Sequence, residues 1–122
     1  MKKVEVTPSV ETAANYFIKT LQEKGFTIFC DVDHQANAKK VDLTIPPSRT
    51  LIFGNPAAGT KLMQKDITIS LDLPLRIAVV EHNEQTLVIH QTSDDYSNSY
   101  NVEGHPVLEK IDALFSGLIA GL

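Results

Sequence analysis

Asp31, Asp33 and His34 crowd the end of one largely apolar run, with Cys30 directly before them. A carboxylate beside an imidazole can move a proton or help to hold a metal ion. If the strand lasts that far, Asp31 and Asp33 project from one face and His34 opens the next element. Together they make at most a loose three-ligand cluster. A structural zinc site takes four well-spaced Cys or His ligands, which the chain lacks, so no metal site is expected. The plainer alternative is that Asp33 caps a helix and His34 is a surface histidine. Cys30 alternates with Phe26, Ile28 and Val32, which places it inward as a packed, slowly alkylated thiol.

The second candidate is the turn Gly54-Asn55-Pro56, where an apolar strand, Leu51 to Phe53, runs into a helix. A helix start presents free N–H groups and positive partial charge, which suits a phosphate or carboxylate. The donors would be the N–H groups of Ala57 and Ala58, with Asn55, Thr60 and Lys61 adding contacts. Gly59 would let a ligand or another backbone come close. The expected ligand-binding set is therefore Asp33, His34, Gly54, Asn55, Gly59 and Thr60. In the structural alternative, Asn55 only caps its own helix, Gly54 makes a tight turn and Gly59 admits a packed neighbour. There is no GxxxxGK[ST] loop, so nucleotide hydrolysis is not supported. Asp72, ahead of Leu73-Pro74, reads first as a polar turn residue. A two-residue turn at Glu84-Gln85 would put His82 and His90 on opposite hairpin faces, both exposed and unable to share an ion.

The elements that must position these residues follow from periodicity. Val4 to Thr7 reads as a short strand, and Ser9 suits the N-cap of a helix over 10–24. Val10, Ala13, Ala14, Phe17, Ile18 and Leu21 recur at helical spacing, and Gly25 ends the helix. Phe26 to Val32 alternates as a half-buried strand, and Asp33 then caps a short helix to about Lys40. Arg49 to Phe53 is the strand that enters the Gly54 turn. Asn55 caps the next helix, with Pro56 at a position that needs no N–H, and that helix ends near Lys65. A short helical turn can follow Asp66. Leu75 to His82 and Thr86 to Thr92 form an antiparallel hairpin, the polar run Ser93 to Asn101 reads as a loop, and Pro106 starts an amphipathic helix to Ala120.

At 122 residues with 43% hydrophobic and 21% charged residues, the chain makes one globular domain over 1–122. A net charge of −4 argues against nucleic acid, whose phosphates want a basic face. Cys30 is the only cysteine, so no internal disulfide can form. The N-terminus lacks a signal-peptide core, and no apolar run approaches the roughly 20 residues of a membrane helix. The expectation is a cytoplasmic protein with no membrane contact.

The pieces ETAANYFIKTLQEKGFTIFCDVDHQANAKKV, TLIFGNPAAGTKLM and SLDLPLRIAVVE stand in order between Ser9 and Glu81. In these the chain resembles the bacterial family called "domain of unknown function 302". FGNPxxGTxLM followed by DLPL is the most specific part. A place in that motif makes Asp72 a second-rank site candidate beside its reading as a turn residue. The resemblance implies a two-layer α+β domain, with a mostly antiparallel sheet and two main helices on one face, similar to the TATA-binding-protein-like arrangement. That fold serves unrelated functions and does not name one. After Glu81 the chain departs from the family pattern. The family has an aromatic-rich strand ending in tyrosine, then Asp-Pro, where this chain reads TLVIHQTSDDYSNSY. Tyr96 or Tyr100 could replace that tyrosine only if the segment folds back.

Three functions are compatible with these residues. The first is a small-molecule binding domain whose ligand is polar or anionic and docks near Asn55. The second is an enzyme using Asp33/His34 acid–base chemistry at the same turn. The third is a structural or interaction protein, with a homodimer among its forms. A pocket with a convergent histidine and carboxylate favours the enzyme, a pocket without them favours binding, and no pocket favours the scaffold. The sequence names neither ligand nor cofactor.

Overall fold

Period-two alternation decides which side of each strand meets the helices, and the strand register makes that side explicit. A computed structural model describes residues 1–122. Five strands form one sheet in the order β1-β5-β4-β3-β2, every neighbouring pair antiparallel. They are β1 Lys2–Val6, β2 Thr27–Asp33, β3 Ser48–Gly54, β4 Leu75–His82 and β5 Gln85–His90. Between them run α1 Val10–Glu23, α2 His34–Lys39, α3 Pro56–Lys65, a 3₁₀ turn Ile67–Asp72, α4 Ser93–Ser99 and α5 Pro106–Ala120.

Both long helices cover the same side of the sheet. Leu51 and Phe53 of β3, Ile77 and Val79 of β4 and Val88 of β5 are fully buried there. They share one core with Ala13, Phe17 and Leu21 of α1 and with Ile111, Phe115 and Leu118 of α5. Phe53 meets Phe115 edge-on at 6.1 Å between ring centroids and Phe26 at 5.8 Å. Burying one such aromatic ring is worth roughly 1.5–3 kcal/mol, so this cluster is a main source of stability. The opposite face, with Val32, Thr50, Ile52, Val80, Leu87 and Ile89, carries neither long helix. The chain is therefore an α+β domain, and its sheet is antiparallel throughout.

The helix caps follow the sequence closely. The Ser9 side chain accepts from the Thr12 N–H, Asp33 from that of Ala36 and Asn55 from that of Ala57. Gly25, at φ +86°, supplies the left-handed residue after α1 that a Cβ would make costly.

Four expectations are corrected. Cys30 does not point inward; it is exposed. Ile28 pairs with Phe53, but Cys30 pairs with the next residue back, Ile52, so β2 carries a bulge at Phe29. The extra residue reverses the alternation: Cys30 leaves the core face with Ile52, and Asp31 joins it beside Leu51. His90 is not exposed but 7% accessible, stacked on Phe115 at 4.1 Å with its Nδ1 bonded to the Gln91 carbonyl. The hairpin turn sits at Asn83-Glu84, with His82 paired to Gln85 and both turn residues at positive φ. His82 and His90 do fall on opposite faces. Finally, Ser93–Ser99 is helix rather than loop, held by a reciprocal cap between Thr92 and Asp95.

Candidate functional site

The β3–α3 turn walls a cavity of about 510 Å³. The turn supplies Gly54, Asn55 and Pro56, and the first two turns of α3 supply Ala57 to Met63. Leu73, Pro74 and Leu75 form a second wall, with the Leu73–Pro74 bond cis. Val107, Lys110, Ile111 and Leu114 of α5 form a third, and Phe26 and Phe29 complete the ring. Phe29, the bulged residue of β2, is 54% exposed and lines the cavity.

Gly54 sits close under this wall. A methyl group there would meet Phe29 Cε2 at 3.3 Å and Pro74 Cβ at 3.4 Å. A side chain there would ask the exposed Phe29 ring to give by a few tenths of an ångström. The glycine thus eases a close approach of the ring to the strand end. Gly59 is different: a methyl group would find only Leu73 Cδ1 at 4.0 Å, an ordinary contact. No neighbouring backbone requires glycine at that position, which lines the cavity.

The first turn of α3 is partly satisfied from within. Asn55 Oδ1 takes the Ala57 N–H at 3.0 Å, and the Asn55 carbonyl takes that of Gly59 at 3.1 Å. Pro56 has no N–H, so Ala58 is the one residue of this turn whose N–H has no partner in the chain. Asn55 is thus a helix cap and a cavity residue together. Thr60, Lys61 and Lys110 are the other polar residues of the lining. Both lysines are exposed, and the lining includes no histidine and no carboxylate.

Asp33 and His34 lie elsewhere. Asp33 pairs with Arg49 in register, and His34 Nε2 is 2.9 Å from Thr50 Oγ1 on the sheet face away from the long helices. Thr50 is four residues from Gly54 along β3, about 13 Å at roughly 3.3 Å per residue. Asp33 is spent on the Ala36 N–H as a helix cap. Asp31 binds Arg49 through two hydrogen bonds, 2.6 and 3.1 Å, and Arg49 also donates to Asn15 of α1 at 3.1 Å. The hydrogen bonding that Arg49 donates to Asp31, more than the charge itself, holds the Arg49 pKa above its ordinary value. The four turn and helix residues expected at the site, Gly54, Asn55, Gly59 and Thr60, are together; Asp33 and His34 do not join them.

Asp72 is more than a turn residue. Its carboxylate accepts from Arg76 at 2.9 Å and from the Tyr100 hydroxyl at 2.5 Å. That hydrogen bond raises the Tyr100 pKa above its usual value. The segment after β5 therefore folds back against the residue that precedes the Leu73-Pro74 wall. The Thr92-Ser93-Asp94-Asp95 spacing of a capping box marks the helix in this segment, but not its contact with Asp72. The apolar walls from α5 and the bulged Phe29 had no comparable signal.

Among solved structures, an uncharacterised DUF302 protein from Bacillus stearothermophilus superposes with a TM-score of 0.79. It is 14% identical, with 98% of this chain and 94% of that one covered, so the likeness is one of fold. Among curated proteins, the "Fluoride-specific ion channel FluC 1" of Brucella suis is 44% identical over 73 residues. The match takes in 60% of this chain and 29% of that protein. A protein of the same name from Brucella abortus is equally similar over 27% of its length. The chain thus spans less than a third of the curated relatives that it matches. No helix here is long and apolar enough to cross a membrane. The model of the family "Domain of unknown function DUF302" matches residues 2–118, and the chain belongs to that family.

Proposed function

We propose that this domain binds a small molecule in the cavity at the Asn55 turn. The observation that carries this is the cavity itself. Its volume of about 510 Å³ lies within the roughly 300–1,000 Å³ typical of ligand sites, and its walls are mainly apolar with a few polar groups. General acid–base chemistry would need a proton-transfer group within hydrogen-bond reach of the ligand. Asp33 and His34 are a strand's length away and already engaged, which supports binding over the enzyme alternative. Ion conduction, the activity named for the Brucella relatives, does not enter this proposal.

The test is melting temperature against a panel of phosphorylated and carboxylated metabolites, for the wild type and Asn55→Asp. Both residues cap well, so the substitution should change stability by less than about 0.5 kcal/mol. A wild-type upward shift that weakens in Asn55→Asp supports an anionic ligand at this turn. A shift of the same size in both proteins would move the ligand away from Asn55.

A second reading is favoured by the face without the long helices. Val32, Ile52, Val80, Leu87 and Ile89 occupy positions where antiparallel sheets usually turn polar residues to water. A second copy of the chain stacking face to face would cover them. A sedimentation profile that stays monomeric at high concentration would rule this out.

A further inference from the structure

The lining of the cavity is uneven in its chemistry. Phe26, Phe29, Leu73, Val107, Ile111 and Leu114 offer only hydrocarbon. The charged groups of the lining are Lys61 of α3 and Lys110 of α5, both cations, in a chain whose net charge is −4. A wholly polar anion, such as a sugar phosphate, would leave the hydrocarbon walls without partners. A neutral hydrocarbon would make no use of the two lysines. A molecule with an apolar body and one negative end matches both parts.

We infer that the ligand is an amphiphilic monoanion, a single-chain or aryl carboxylate. Its apolar body lies between Phe29 and the α5 wall, and its carboxylate lies towards Lys61 and Lys110. The inference rests on the cavity being the binding site and adds the class of molecule that it takes. Because both lysines are exposed, their attraction is screened by salt, and the apolar body supplies most of the affinity.

Calorimetric titration of the purified chain with defined probes tests this, each kept below its micelle concentration. The probes are acetate, hexanoate, decanoate, 1-decanol and decyltrimethylammonium. Affinity should rise by about fourfold for each methylene that becomes buried, so decanoate binds far more tightly than hexanoate and acetate does not register. Decanoate should bind at least threefold tighter than 1-decanol and exceed decyltrimethylammonium by more. That preference should shrink in 1 M salt. The double variant Lys61→Glu/Lys110→Glu should weaken decanoate at least tenfold and leave 1-decanol unchanged. Leu114→Trp, or Ala57→Trp at an exposed position if the first fails to fold, should block every probe.

Equal binding of decanoate, 1-decanol and decyltrimethylammonium would overturn the anionic class while leaving the cavity as a site. Acetate binding as tightly as decanoate would overturn the apolar body. No binding by any probe, or decanoate affinity undiminished in the tryptophan variant that folds, would overturn the inference and remove its support for binding in this cavity.

Discussion

The two ends of β3 use polar residues in opposite ways. At the Arg49 end, the guanidinium takes Asp31 and Asn15, Asp33 caps α2, and His34 meets Thr50. Each chemistry-bearing group there has a partner in the protein. At the Gly54 end, the strand finishes in a glycine, and Phe29 and Pro74 close on it. A cavity remains between the turn, α3 and α5, with Lys61 and Lys110 in its lining. Residue types that can do chemistry are thus no guide by themselves. The richer set of such residues fastens α1 and α2 to the sheet, and the plainer set surrounds space.

That contrast predicts that damage at one end is structural and damage at the other functional. The largest effect on stability should come from Arg49→Ala. It removes hydrogen bonds to a carboxylate and to Asn15 at a side chain only 15% exposed, a loss of about 2 kcal/mol. Thermal unfolding should show this as a drop of several degrees, with ligand affinity at the cavity unchanged. A loss of affinity with stability intact would reverse the roles of the two ends. His34→Ala comes next, at about 1 kcal/mol for one partly buried hydrogen bond, again without effect on binding. A tenfold loss of affinity in this variant would restore the acid–base candidate. Smallest is modification of Cys30: iodoacetamide should label the native protein readily and shift its melting temperature little, because the thiol is exposed. Labelling only after unfolding would contradict the bulge at Phe29.

Much of this architecture can be read from the sequence. Ser9, Asp33 and Asn55 announce three helix starts, Gly25 an end, and the apolar stripes of α1 and α5 their shared face. Gly54, Asn55, Gly59 and Thr60, singled out by the turn itself, line one wall of the cavity. Cys30 shows where such reading stops. Its side is set by a single bulged residue, Phe29, which alternation cannot reveal because an inserted residue reverses everything after it. The bulged residue itself, Phe29, lines the cavity. Lys110 and Leu114 were hidden for another reason: they reach the cavity across the tertiary fold, from a helix roughly 50 residues along the chain from the turn. The exposure assigned to His90 failed because the polar ring stacks on Phe115, so its burial depends on α5 rather than on its own strand.

Amide chemical-shift mapping of the wild-type protein titrated with decanoate is the most direct discriminator between the two ends. The shifts should concentrate in residues 54–63, 73–75 and 107–114, with residues 31–34 and 49–50 silent. Shifts centred on Asp33, His34 and Thr50, with the Asn55 turn unmoved, would place the site at the other end of β3.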